Sequence, residues 1–405
     1  MSRQGRRGHS LASLRRQSGL TFHRLYSVYL SKYMKIALTH DHLFQLGGAE
    51  RVLLELHNMF PESPVYTLIH NPEKAGLFKD LDIKTSFLEK LPFGKNHFKW
   101  YLWLMPIAWE QMNFFGYDIV ISSSSAFSKG VITPPNTLHI CYCHSPTRYL
   151  WSDAHNYVEE LKQPKIIKKI LPLIMNKLRI WDHIAAQRVD KFIANSEFVA
   201  KRIRKYYQRE STVIYPPVDT GQFRISLEIE NYYVVVSRLR PYKRVDIAIK
   251  AFNQLGMPLK IIGSGEEEAN LKKMAKSNIE FLGELPDQER NKVLARARAF
   301  IHPQEEDFGI AVVEAMACGR PVIAYKSGGA LETVIENETG RFFIEQTWEC
   351  LADTVIRFNR ELDQFDPIKI KKHSENFDKE IFQQKINDFV SQSWQEFSGK
   401  TLIKH

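Results

Sequence analysis

The chain has 405 residues, 44% of them hydrophobic, with four cysteines and a formal net charge of +10. That length and apolar content suffice for two ordinary cores, so two domains are expected. Cys141, Cys143, Cys318 and Cys350 show no disulfide-framework spacing, which points to a reducing cytoplasm, and no apolar run approaches the roughly 20 residues of a membrane-spanning helix.

Residues 1–33 hold seven cations (Arg3, Arg6, Arg7, Arg15, Arg16, Arg24 and Lys32) and no acid. Subtracting seven from +10 leaves +3 for 34–405, a near balance that argues against a general polyanion or nucleic-acid partner. This basic leader reads as a transit-like peptide, a disordered arm or upstream sequence translated from the wrong start codon.

From Met34 onward, strand and helix patterns alternate. Strands are predicted over 36–39, 65–69, 83–87, 118–122, 138–143, 192–195 and 212–215, with a loop over 41–48 and a helix from Ala49 to about Phe60. Pro216-Pro217-Val218-Asp219 reads as a hinge linker. A second series follows over 233–236, 259–262, 280–282, 299–302, 321–325 and 341–344, and helical periodicity returns over 378–397. Strands separated by helices imply parallel βαβ units, hence an α/β chain of two doubly wound domains with ligands at the carboxyl ends of the strands.

Several loops carry residues suited to chemistry. Gly47-Gly48 follows the first strand, where a close backbone approach to a ligand and an ordinary tight turn are both open readings. Trp100, Tyr101, Trp103, Leu104, Met105 and Trp109 form an aromatic patch, and Lys165, Lys168, Lys169, Lys177 and Arg179 punctuate an apolar segment over 161–181. Such faces suit an anionic membrane surface, and an ordinary helix buried against the first sheet accounts for them slightly better. Cys141-Tyr142-Cys143-His144 invites a metal reading, but no second Cys/His cluster completes a site, so buried thiols in a strand are expected and no metal. Arg238 and Lys243 flank a proline after the first strand of the second series, and from there both cations reach one diphosphate or stand solvated. Gly263 and Gly265 begin a Gly-rich turn, but Glu268 occupies the third glycine position of a dinucleotide fingerprint, which disfavours hydride transfer.

The stretch His302–Pro321 organises the rest. An acidic loop leads into a short helix near Gly309, with Ile310, Val312, Val313 and Met316 apolar and Gly319 and Pro321 as the stop. Glu306 stands beside the helix start, where carboxylate and exposed N–H groups fix sugar hydroxyls; Glu314, eight residues on, is placed to hold a ribose. Spacing alone fits a solvated acidic loop before a core helix equally well.

Glu306-x-Phe308-Gly309, the second Glu, then C-G-R-P-V-I-A over 318–324 and S-G-G-A-L-E over 327–332 resemble the donor site of family 4 retaining glycosyltransferases, and the likeness runs from about Met34 to the C-terminus. The resemblance implies the GT-B fold, two Rossmann-like domains facing across a cleft: 34–217 on the acceptor side, 218–377 binding the nucleotide sugar, and 378–405 as a helix returning to the first domain. Met34 precedes the kind of strand with which the family begins, which favours a mis-assigned start for 1–33. The family's roles carry over as follows. Arg238 and Lys243 clamp the diphosphate, Glu306 and the backbone at Phe308, Gly309 and Ile310 hold the donor sugar, and Glu314 holds the ribose. Gly47 and Gly48 contact donor phosphate and acceptor, Gly263 and Gly265 lie near the nucleoside, and His144 sits near the transferred sugar. The extension R-Y-L-W over 148–151 resembles a subset from bacterial surface-polysaccharide and lipopolysaccharide assembly, many of them mannosyltransferases. The implied activity is metal-independent, retaining transfer of a hexosyl, mannosyl by this subset, from a nucleoside diphosphate sugar of the GDP-mannose type. The implied acceptor is lipid-linked or a polysaccharide, with peripheral contact at an anionic cytoplasmic membrane face. A nucleotide-sugar epimerase or phosphorylase on the same fold, and a non-catalytic basic scaffold, are the alternatives.

Overall fold

The structure is a computed structural model, and it describes residues 34–92, 98–154 and 165–399. The leader 1–33, residues 161–164 of the basic segment, the side chains of Lys165 and Lys169, and 400–405 of the tail lie outside the described residues.

The first unit is a parallel sheet with helices. Its elements are β1 (Ile36–His40), α1 (Gly48–Met59), β2 (Val65–Thr67), β3 (Ile83–Thr85), α2 (Met105–Glu110), β4 (Ile119–Ser124), β5 (Leu138–Cys143), α3 (Lys165–Gln187), β6 (Lys191–Ala194), α4 (Glu197–Tyr207) and β7 (Ser211–Val213). The strands run in the order β3-β2-β1-β4-β5-β6-β7. All residues of β1, β4 and β5 are buried, which is why these strands read as continuous apolar or small-residue runs rather than as alternations. Val52, Leu53, Leu56 and Met59 of α1 close one face together with Phe382, Ile386 and Val390 from the C-terminal helix.

The second unit repeats the plan with β8 (Tyr233–Val236), α5 (Val245–Leu255), β9 (Leu259–Ile262), α6 (Glu268–Met274), β10 (Ile279–Gly283), α7 (Asp287–Arg296), β11 (Phe300–His302), α8 (Ile310–Ala317), β12 (Val322–Tyr325), α9 (Ala330–Thr333), β13 (Gly340–Phe343), α10 (Trp348–Arg360) and α11 (Pro367–Ser374). Its order is β10-β9-β8-β11-β12-β13. The strands match the sequence prediction to within two residues at either end. In each sheet the order reverses once, between β1 and β4 and between β8 and β11, and the crevice beyond the strand ends at such a point is where doubly wound folds bind ligands.

The first unit runs up to Asn195, continues over Val199–Ile214 and takes the C-terminal segment from Phe382, most of α12 (Lys379–Ser398). The second comprises Ser196–Phe198 and Tyr215–Ile381. Residues 196–198, 215–217 and 378–381 therefore fall on the other side of the sequence division, the first of them with Glu197 N and Phe198 N donating to the Glu332 carboxylate. Tyr215 lies on Phe308 and Phe377, with ring centroids 5.4 and 5.3 Å away. Val218 pairs with the 377–379 segment through Val218 N to Phe377 O (3.1 Å) and Lys379 N to Val218 O (3.0 Å). The expected hinge linker is thus a paired segment.

Candidate active site

In the second unit, β8 runs out into the Ser237–Lys243 loop and β11 into the loop that ends at Gly309; because the strands are neighbours, the loops open side by side. Lys243 ends a 3-10 turn, Pro241–Lys243, and its ammonium bonds the Glu306 carboxylate. The two side chains are only 12% and 24% exposed, so the pair is largely withdrawn from water. Gln304 Nε2 donates to Glu306 Oε2 at 3.3 Å, and His302 Nε2 lies 3.8 Å from the same oxygen. Burial works to raise the Glu306 pKa, but Lys243, then His302, outweigh it and hold the carboxyl at about 2. Burial takes fully buried His302 down to about 4, so it is neutral at pH 7, and neither of its ring nitrogens has a hydrogen-bond partner among the described residues. Sequence reasoning passed over His302 and Gln304 because both sit at a strand end that reads as core.

Gly309 has φ of +91°, a left-handed conformation that suits glycine, and it starts α8. At the start of α8, Val312 N donates to Gly309 O at 2.9 Å, and the N–H groups of Ile310 and Ala311 ahead of it open at the loop that carries Glu306. Phe308 is buried between Tyr215 and Phe377, so its ring anchors the loop and only its backbone is available to a ligand. Ile310 is the first residue of the helix, half-buried.

Gly263 and Gly265 serve a clasp between two loops. A Cβ on either would run into the backbone of Ser237 or Leu239, and Ser237 N to Ile262 O (3.0 Å) and Leu239 N to Ser264 O (2.8 Å) join the two segments. The clasp fixes the loop that carries half-buried Arg238 and Lys243. Gly328 and Gly329 play the same part beside Glu306 and Phe308, with Gly329 N to Glu306 O at 2.8 Å. Glu314 is buried on α8 and takes Arg290 Nη2 of α7 at 3.3 Å. A ribose held there would share the carboxylate with Arg290, a partner that no local spacing announced.

In the first unit, His144 follows β5, and its Nε2 lies 2.8 Å from Ser123 Oγ of β4. Ser123 Oγ is also 3.1 Å from His40 Nδ1 of β1, and His40 Nε2 is 3.9 Å from Glu50 Oε1 of α1. Burial lowers the His144 pKa to about 3, with neighbouring His40 adding to the shift. Asp41, missed by sequence reasoning, accepts four backbone N–H groups, Ser125 (2.6 Å), Ala126 (2.8 Å), Phe127 (2.7 Å) and Ser128 (2.7 Å). Burial acts to raise its pKa, but His40 and the N–H groups outweigh it and lower it. Gly47 is the extended residue before α1 and Gly48 its first residue, beside the same strand ends.

The stretch after His144 has a structural task. Thr147 Oγ1 and Trp151 Nε1 donate to Asp182 at 2.9 and 2.7 Å, Tyr207 OH at 2.8 Å and Lys129 Nζ at 2.5 Å. Asp182 and Lys129 are buried almost completely. Arg179 also turns inward, donating to Leu150 O at 2.6 Å. The aromatic patch divides: Trp109 and Met105 are core, whereas Trp100 and Trp103 are 63% and 58% exposed. On α3, Leu173, Lys177, Ile180 and Ile184 share an exposed stripe. Among the described residues, no helix is long and apolar enough to cross a membrane, and no group of three His, Cys, Asp or Glu side chains is placed to share a metal.

Comparison with known proteins agrees with this architecture. The family model described as Glycosyltransferase Family 4 matches residues 46–222, and that described as Glycosyl transferases group 1 matches 222–372. An alpha-1,3/1,6-mannosyltransferase, ALG2 of Dictyostelium discoideum, is 23% identical over 89% of this chain and 95% of its own. A GDP-mannose-dependent phosphatidylinositol monomannoside mannosyltransferase of Corynebacterium glutamicum is 42% identical over 24% of this chain and 30% of its own. Among solved structures, HepE of Anabaena in complex with UDP superposes with a TM-score of 0.70 at 20% identity, over 89% of this chain and all of that one. Sucrose-phosphate synthase of Thermosynechococcus elongatus gives 0.66 at 16% identity, over 91% of this chain and all of that one. With two Rossmann-like units, adjoining family matches over 46–372 and relatives that transfer sugars, the chain belongs to the family 4 glycosyltransferases of the GT-B fold.

Proposed function

We propose that this glycosyltransferase moves a mannosyl group from GDP-mannose to a hydroxyl of a lipid-linked or polysaccharide acceptor, with retention of configuration. The observation that carries the donor half is the Lys243–Glu306 pair at the strand-order reversal of the second unit, beside the start of α8. A cation and an ionised carboxylate side by side suit the two ends of a nucleoside diphosphate sugar. Lys243, with Arg238 on the same loop, neutralises the diphosphate as it leaves, doing the work of a divalent ion. Glu306 and the backbone N–H groups at 308–310 take the sugar hydroxyls. Mannose is supported by the Dictyostelium and Corynebacterium relatives, both named as mannosyltransferases. The R-Y-L-W stretch supports it less, since Trp151 is engaged with Asp182. Exposed Trp100 and Trp103, with the Leu173–Ile184 stripe around Lys177, support peripheral contact with an anionic membrane that presents the acceptor.

A UDP-hexose donor is the second reading, favoured by the Anabaena neighbour, which was crystallised with UDP and with UDP-glucose. A thermal-shift panel decides between them, because a ligand that binds the native state stabilises it by mass action. GDP-mannose should raise Tm more than UDP-glucose at equal concentration. The reverse order sinks the GDP-mannose assignment. Conversion of donor with no acceptor present would instead indicate an epimerase.

A further inference from the structure

The four side chains Glu50, His40, Ser123 and His144 form a line across three elements, β1, β4 and α1, and end on the residue after β5. His40, Ser123 and Glu50 are 2%, 0% and 4% exposed and have no place in the donor chemistry described above. A neutral imidazole carries one N–H and one lone pair, and the partner of one nitrogen decides what the other offers.

We infer that Glu50, acting through His40 and Ser123, sets the tautomer of His144 so that its Nδ1 presents a lone pair to a substrate hydroxyl. The direction follows from the acidic end. A carboxylate 3.9 Å from His40 Nε2 is beyond hydrogen-bond length, yet its field favours a proton on that nitrogen and disfavours a lone pair facing it. His40 Nδ1 is then an acceptor, and the Ser123 hydroxyl donates to it across 3.1 Å. With its own proton committed, Ser123 Oγ accepts at 2.8 Å, so His144 Nε2 is the donor and carries the ring proton. Nδ1 is left as the lone pair, and it makes no hydrogen bond among the described residues. A serine between two imidazoles transmits the order because it has one proton to give and two lone pairs. Ser123, His40 and Glu50 are thus positioning residues, and the ligand group that His144 recognises is a hydroxyl acting as donor.

The inference rests on the glycosyl-transfer reading for its kinetic half only. Nitrogen-15 NMR of the histidines in the ligand-free full chain, with His144→Gln to assign the signal, reads the tautomer directly. Wild type should show His144 protonated on Nε2. Ser123→Ala should lose that preference and lower kcat/KM about tenfold, the worth of one hydrogen bond, with nucleotide affinity unchanged. Ser123→Thr keeps the hydroxyl and should restore both. Glu50→Gln should move the tautomer in the same direction as Ser123→Ala. A wild-type His144 protonated on Nδ1, or a Ser123→Ala protein with unchanged tautomer and unchanged transfer, overturns the inference. Absence of transfer from every donor, with the tautomer still following Ser123, defeats the glycosyl-transfer reading and leaves this one standing.

Discussion

Glu306→Gln separates charge from shape at the centre of the loops proposed to hold the donor. The amide fills the same space but leaves Lys243, 12% exposed, without its counter-charge. The magnitude can be worked from the carboxyl side. Its pKa is held at about 2 against an ordinary 4.5, and at 1.36 kcal/mol per pH unit that difference is about 3 kcal/mol. Breaking a fully buried pair costs roughly 3–5 kcal/mol, so about 3 for a pair with some access to water is the upper end. The sign follows from linkage. A carboxyl with a depressed folded pKa contributes fully above its unfolded value and loses that contribution as pH falls through the folded one. The wild type should therefore exceed the variant in stability by up to about 3 kcal/mol at pH 7, and the gap should begin to close below about pH 4.5. Denaturant titrations at pH 7 and pH 4 measure it. Catalytically, the loss is larger than one neutral hydrogen bond. A charged acceptor is worth about 1.5–3 kcal/mol per bond, so kcat/KM should fall roughly 10- to 150-fold if Glu306 grips the sugar. Nucleoside diphosphate affinity should hold or tighten, because Lys243 no longer shares its charge with a carboxylate. Near-normal turnover by folded Glu306→Gln, with GDP-mannose or any better donor, would remove Glu306 from the site and refute the reasoning.

Two further outcomes are expected. Asp182→Asn strands the Lys129 ammonium in a fully buried setting and should cost about 3–5 kcal/mol, lowering Tm by roughly 10 °C by calorimetry; a drop under about 3 °C would show that the network contributes little. Trp100→Ser with Trp103→Ser should leave Tm nearly unchanged, since both rings face outward, yet should reduce co-sedimentation with anionic liposomes severalfold at low salt; equal binding would move membrane contact away from this patch.

The strands were legible because a parallel strand buried on both faces is a short apolar run, as β1, β8 and β11 all show. The loops holding Lys243 and Glu306 were legible for a related reason: charges directly after such runs have to lie at strand ends. Partners were not. Asp41 meets the backbone of 125–128, and Glu314 meets Arg290, through sheet order and helix packing that no local pattern encodes. Gly263 and Gly265 look like a nucleotide turn in sequence, and their collision with Ser237 and Leu239 appears only when two loops are superposed in space. The aromatic patch failed for want of direction: Trp100, Trp103 and Trp109 are equivalent in composition, and only the turn of the chain around Met105 sends one inward and two out.

The Asp182 carboxylate also limits how this enzyme can be recombined with its relatives. Lys129, Thr147 with Trp151, and Tyr207 reach it from three separate stretches of chain. Residues sharing one acceptor do not contribute additively, so importing the 144–151 stretch alone from a relative would pair a new set of donors with an old carboxylate. A crossover before Lys129 and another after Tyr207 would carry the whole constellation as a block. Exchanges of the Lys243 and Glu306 loops in the second unit carry no such constraint from Asp182, which makes the two halves unequal as material for chimeras.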